Sequence, residues 1–324
     1  MCPSDAAMLI TIGSFDGFHK GHAELLDICR KNSSGGEWAV VTFYPHPSEY
    51  MNRLKHSLFT LKERELVRLA LDIPSMYVLE FNETLKNLEP QKFWNLVRER
   101  FSVDGLVMGS DFHFGLNRSG SAEYLADLAR SEGLTKIFVA ELKDKCRYSS
   151  SVARQKVIAG DVQGASEILG YSWFMTGRIL HGCRRGRTMG YPTANIDISG
   201  RIVPAYGVYS SAVLVNGEYH CGAVSIGNNP TFHDVNETRA EIYILDFDGD
   251  IYGDELTVFF LGRVREIMAF GGREELMRQI ERDIISCREI YGEAVKQDGT
   301  KKFLGRAREI YKSQKINPEI IKLI

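Results

Sequence analysis

From residue 8 to residue 140 the chain alternates short apolar runs with stretches of helical spacing, and no other feature narrows the fold as much. Residues 8–13, 37–44, 76–81, 103–108 and 136–140 read as strands; residues 21–31, 61–71, 90–101 and 121–132 read as helices. Parallel strands need long crossover connections, and a sheet covered by helices on both faces takes continuous apolar strands. The pattern therefore predicts βαβ units around a parallel sheet. Two further short helices are expected at 151–159 and 162–169.

Beyond residue 173 the pattern changes. Short β-rich runs at 174–180, 207–215, 219–226, 240–245 and 255–260 follow one another with little helix between them, which suggests an antiparallel barrel. Asn216-Gly217 between two of these runs is a hairpin signal. A helix from Arg273 to about residue 291 would close the barrel. The reading divides the chain into 1–171, 172–291 and a helical tail, 292–324. Phe303, Leu304, Ala307, Ile310 and Tyr311 put an apolar stripe on the tail, which is expected to dock on the second domain. With 324 residues and 44% hydrophobic content, each half has material for its own core.

Charge narrows the partners. Lys plus Arg number 40 and Asp plus Glu 42, a formal net charge of −2. That balance argues against a dedicated nucleic-acid or membrane-surface binder and leaves room for a local basic patch. The cysteines, Cys2, Cys29, Cys146, Cys183, Cys221 and Cys287, contain no C-x-x-C spacing. They fit reduced thiols in the cytoplasm better than zinc ligands or a disulfide framework. No basic-then-apolar leader pattern opens the chain, and no apolar run reaches the roughly 18 to 20 residues that span a bilayer.

Two segments carry chemistry. The first, Gly13-Ser14-Phe15-Asp16-Gly17-Phe18-His19-Lys20-Gly21-His22, runs from the first strand into the first helix. In open parallel sheets, ligands sit beyond the carboxyl ends of strands, where a helix N-terminus also favours anions. His19 and His22 could donate hydrogen bonds to a phosphate whose charge grows in the transition state. Positioning and charge stabilisation suffice for in-line displacement, so no protein nucleophile is required.

This segment resembles the H-x-G-H nucleotidyltransferases, and more narrowly the adenylyltransferase half of bacterial bifunctional riboflavin kinase/FAD synthetases. Residues 11–22, T-F-Y-P-H-P at 42–47, G-S-D-F-H-F-G at 109–115 and Y-S-S-S-V-A-R at 148–154 match in the family's order. The resemblance implies a Rossmann-like nucleotidyltransferase domain with His19 and His22 catalytic. It implies nucleotide binding by Gly13, Ser14, Phe15, Asp16, Gly21, Ser149, Ser150, Ser151 and Arg154. The three serines read equally as a plain helix cap. The family usually has Asn at position 14, Thr at 151 and Ile at 153, where this chain has Ser14, Ser151 and Ala153.

The second segment, residues 177–195, reads G-R-I-L-H-G-C-R-R-G-R-T-M-G-Y-P-T-A-N. Interleaved glycines and arginines make a cationic loop able to wrap phosphates. Thr193 and Asn195, two residues apart on an extended segment, would point the same way as hard oxygen ligands suited to Mg²⁺. The segment resembles the signature of riboflavin kinases, a β-barrel family. The resemblance implies nucleotide binding by Gly182, Gly186, Arg187, Gly190, Pro192, Thr193 and Asn195, with Thr193 and Asn195 holding magnesium. It makes Glu241 the base that accepts the proton of the ribityl 5′-hydroxyl. Arg265 could face a flavin or make a surface ion pair. Taken together, the two resemblances imply ATP-dependent phosphorylation of riboflavin to FMN and adenylylation of FMN to FAD with release of pyrophosphate.

Overall fold

The computed structural model describes residues 7–33, 37–141, 148–180, 190–228, 238–313 and 322–323. Two compact units make up the chain. One comprises Met1–Ser149 with Lys315–Ile324, the other Ser150–Gln314.

Among the described residues, the first unit holds a six-stranded parallel sheet. It contains β1 (Met8–Ile12), β2 (Trp38–Tyr44), β3 (Ser75–Glu80), β4 (Val103–Gly109), β7 (Lys136–Ala140) and β14 (Lys322–Leu323), in the order β14-β3-β2-β1-β4-β7. A two-stranded ribbon, β5 (His113–Phe114) with β6 (Gly120–Ser121), lies between β4 and β7 in the chain. Every residue of β1 is buried, as a central strand covered on both faces requires. The chain runs outward from β1 through β2 to β3, then crosses back to β4. The topological switch therefore falls between β1 and β4, where a ligand crevice is expected.

Local chemistry sets the helices α1 (Lys20–Asn32), α2 (Pro47–Tyr50), α3 (Leu61–Ala70), α4 (Glu83–Lys86), α5 (Pro90–Arg100) and α6 (Ala122–Ser131). Thr60 and Glu63 form a reciprocal capping box at the start of α3. Pro90 takes the first turn of α5, where no N–H is missed, and Ser121 caps α6.

In the second unit, β8 (Phe174–Leu180), β9 (Thr193–Ile196), β10 (Gly207–Val215), β11 (Glu218–Asn228), β12 (Thr238–Ile244) and β13 (Glu255–Glu266) close a barrel in the order β10-β11-β12-β9-β8-β13. Asn216 and Gly217 turn the β10–β11 hairpin with φ of 51° and 76°, the double left-handed geometry that favours this dipeptide. The sequence reading omits β9 from its strands, yet β9 bridges β8 and β12 and so closes the barrel.

Helices α7 (Ser150–Ile158) and α8 (Val162–Leu169) pack on each other, and α8 packs on β13. The compact units consequently divide at Ser149/Ser150, ahead of the composition shift at Tyr171. Helix α9 (Arg273–Ala294) lies along the barrel, and α10 (Asp298–Lys312) follows. The stripe on α10 buries Phe303, Leu304, Ala307 and Ile310, while Tyr311 remains exposed. Phe303 stacks on Tyr171 with ring centroids 4.3 Å apart. The tail is not helical to its end, because Lys322 and Leu323 pair in parallel with Tyr77 and Val78.

Candidate active sites

The turn from β1 into α1 is built from unusual backbone. Phe15, Gly17 and Phe18 have φ of 41°, 113° and 45°. Gly17 adopts this without a Cβ penalty, whereas the two phenylalanines are strained there. His19 then serves as the N-cap residue of α1, though its side chain makes no capping hydrogen bond. Its carbonyl accepts the His22 N–H at 2.7 Å, which stacks the two imidazoles 3.8 Å apart and 22° from parallel. Gly21 leaves the room for this. A Cβ there would lie 2.9 Å from His19 Nδ1 and 2.5 Å from the Tyr148 carbonyl oxygen.

Burial fixes the charge state of the pair. It lowers the pKa of His19 to about 4, against the opposing pull of Asp16 and Asp111. Burial, then the neighbouring His19, holds His22 well below the usual histidine range. Both rings are neutral at neutral pH, so they can stack without repulsion. Each Nδ1 is buried with no hydrogen-bond partner among the described residues, a costly state for a polar atom.

Gly13, Ser14, Phe15 and His22 form one wall of a cavity of about 570 Å³ that spans the switch point. The segment from Gly109 to Arg118, which includes Asp111 and Phe112, lines it from the end of β4. Phe43, Phe81 and Phe93 add aromatic surface, and Pro47 and Met51 continue it. Such a volume suits an extended aromatic ligand with a polar tail. His19, Asp16 and Gly21 are not among the lining residues. Asp16 is fully buried, and each of its carboxylate oxygens accepts the Leu58 N–H at 3.0 Å.

Sequence reasoning missed Thr42, Leu58 and Arg64, which hold the turn, and Arg53, Asp111 and Arg118, which line the cavity. A signal was available for Asp111 in the matched G-S-D-F-H-F-G segment. Nothing marked Arg64, which sits in an ordinary amphipathic helix. Ser149 ends the main segment of the first unit, while Ser150, Ser151 and Arg154 belong to α7 of the second.

In the barrel, Asn195 on β9 stands directly opposite Glu241 on β12, and Thr193 opposite Tyr243. Burial alternates along β12, with Ala240, Ile242 and Ile244 inside and Glu241 and Tyr243 half-buried. Thr193, Asn195 and Glu241 therefore share the face turned away from the apolar interior. The Asn195 Oδ1 is buried and has no hydrogen-bond partner among the described residues. Among the described residues no cluster of His, Cys, Asp or Glu side chains is placed to hold a metal. An orphaned amide oxygen beside a threonine hydroxyl fits a hard cation that takes its remaining ligands from phosphates and water.

Gly190 has a φ of 85°, and Pro192 leads from it into β9. Gly182, Gly186 and Arg187 lie outside the described residues. For Arg265 the ion pair prevails. Its Nε and Nη2 donate to both oxygens of Asp283 at 2.8–3.0 Å, fastening β13 to α9.

A parallel sheet with paired imidazoles at its switch point, joined to a barrel with a carboxylate facing an amide ligand, defines a two-unit nucleotide-dependent transferase. Residues 2–153 match the family described as FAD synthetase, and residues 169–291 the family described as riboflavin kinase. A Bacillus subtilis bifunctional riboflavin kinase/FMN adenylyltransferase is 34% identical, over 86% of this chain and 90% of its own. The Listeria monocytogenes protein of the same description is 33% identical, over 86% and 91%. A Streptococcus pneumoniae crystal structure described as a macrolide-efflux protein superposes with a TM-score of 0.79 at 29% identity, over 89% of this chain and 95% of that one. No helix among the described residues is long and apolar enough to cross a membrane. The chain belongs to the bifunctional riboflavin kinase/FMN adenylyltransferase family.

Proposed function

We infer that the chain makes FAD from riboflavin in two ATP-dependent steps, each with its own reacting groups. The observation that carries this reading is their separation: His19 and His22 lie in one compact unit, and Thr193, Asn195 and Glu241 in the other.

In the barrel, Glu241 accepts the proton of the ribityl 5′-hydroxyl as that oxygen attacks the γ-phosphorus of ATP, giving FMN and ADP. Thr193 and Asn195 offer their side-chain oxygens to Mg²⁺. A bound magnesium ion would neutralise the phosphate charge that builds up as ADP leaves. In the sheet unit, a phosphate oxygen of FMN displaces pyrophosphate from the α-phosphorus of ATP, giving FAD. The neutral imidazoles of His19 and His22 donate hydrogen bonds to oxygens that gain charge in that step. Gly13, Ser14 and Phe15 line the cavity from the strand end, and its aromatic wall suits the isoalloxazine ring. Gly21 supplies the space that lets the histidines meet. Buried thiols at Cys29 and Cys287, both raised to about 12 by burial, suit a protein working in the reducing cytoplasm.

The test is incubation of the purified protein with riboflavin, ATP and Mg²⁺, with FMN and FAD resolved chromatographically. Both products are expected. FMN alone would leave only the kinase, and neither product would make the chain a flavin-binding protein.

A further inference from the structure

The turn that presents the histidines needs an external support. Phe15 and Phe18 hold left-handed backbone that their side chains disfavour, and such strain persists only where the surroundings enforce it. The enforcing contacts converge on Arg64. Its Nη1 donates to the carbonyls of Ser14, at 3.4 Å, and Phe43, at 3.3 Å. Its Nη2 lies 3.5 Å from Asp16 Oδ1, and both side chains are wholly shielded from solvent. One guanidinium thus touches the turn at two residues and the end of β2 at a third. Thr42 Oγ1 donates to the same Ser14 carbonyl at 2.8 Å, and the Leu58 N–H donates to Asp16.

A sealed ion pair is a poor way to gain stability, since desolvation offsets the attraction. This one is also imperfect, because Arg64 Nε and Nη2 make no hydrogen bond among the described residues. What the pair does provide is a fixed shape. Without the guanidinium, the buried Asp16 carboxylate loses a cationic neighbour and must take up a proton or pull on the turn.

We propose that Arg64 is a positioning residue for adenylyl transfer, acting through Asp16 and Ser14 to fix the turn that places His19 and His22. The proposal rests on the reading of those imidazoles as the reacting pair. Arg64 lines no part of the cavity, so its role is distinct from substrate binding.

The test uses the full chain. FMN-to-FAD rates are measured per FMN-binding site, so that a smaller folded fraction does not pass for slow chemistry. In Arg64→Met, kcat should fall about 10- to 100-fold, the scale of a small misplacement of reacting groups. KM for FMN and ATP should stay within about threefold, since ground-state contacts remain. Adding Asp16→Asn to Arg64→Met removes the stranded charge and should recover part of the rate, a non-additive result. Arg64→Lys keeps the charge but cannot span both carbonyls, so it should lose less. It also serves where Arg64→Met yields no folded sheet unit. Unchanged kcat in both Arg64 variants overturns the proposal. So does a raised KM with kcat preserved, which would mean direct substrate contact. His22→Ala separates the two ideas. Full turnover there would sink the histidine reading itself, whereas loss there with full turnover in Arg64→Met would sink only the role of Arg64.

Discussion

Asn195 and Glu241 occupy directly opposed positions on neighbouring antiparallel strands, although 46 residues separate them in the chain (241 minus 195). Opposed residues share a sheet face and lie within side-chain reach, so the Asn195 amide and the Glu241 carboxylate meet on one surface. Ser225 flanks Glu241 on the other neighbouring strand. Glu241 is thereby held between two ladders, which fixes its backbone.

Glu241→Gln should abolish FMN formation and leave FMN-to-FAD conversion nearly intact. Removing a general base costs about 10²- to 10⁴-fold. Assays of the two half-reactions on the same preparation check this. Equal loss of both in a folded variant would contradict separate sites.

Asn195→Ala removes the orphaned Oδ1. The expected result is a higher Mg²⁺ concentration for half-maximal kinase rate, read from a magnesium titration at saturating ATP and riboflavin. An unchanged titration would take Asn195 out of the metal site. Chelation of divalent ions should stop FMN formation, and added Mg²⁺ should restore it.

His19→Ala and His22→Ala should each slow FAD formation by about 10²- to 10³-fold, the cost of losing one transition-state donor. FMN affinity should change far less, since these interactions strengthen mainly during transfer. Single-turnover kinetics with saturating FMN and ATP, beside an FMN titration, distinguish the two effects.

Stability should also depend on pH through His19. Its folded pKa of about 4 lies below the ordinary 6.5, so the unfolded chain binds the extra proton between these values. The contribution is present above about pH 6.5 and is lost as pH falls towards 4. Chemical denaturation of wild type and His19→Gln across this window should show a shallower pH dependence in the variant. Identical slopes would show that His19 does not titrate as its burial requires.

Gly21→Ala tests the close approach of backbone and ring. The added methyl would meet the Tyr148 carbonyl at 2.5 Å and His19 Nδ1 at 2.9 Å. Overpacking of this kind costs roughly 1–3 kcal/mol. FAD formation should fall while FMN formation continues, with a lower melting temperature for the sheet unit. A normal FAD rate would show that the turn yields without disturbing the histidines.

Much of this protein is legible without coordinates because its signals are local. Apolar runs mark strands β1 to β4 and β7, while the two-residue β5 and β6 escape, and Asn216-Gly217 marks its hairpin by the φ values those residues tolerate. His19-Lys20-Gly21-His22 and Pro192-Thr193-Ala194-Asn195 place their candidate groups within a turn or a strand of one another, where spacing alone sets direction. What depended on distant partners was hidden. Strand β9 has four residues, too few for periodicity, and exists because β8 and β12 pair with it. The motif that holds Asp16 carries no sign that Leu58 and Arg64, far along the chain, contact its buried carboxylate. Two histidines near a helix start carry no mark of their depressed pKa values, since desolvation comes from everything packed around them. The residues themselves supplied the chemistry and the local geometry. Only the tertiary structure decided which groups meet across the chain and which charges survive burial, because register, desolvation and cavity shape are properties of the packed whole.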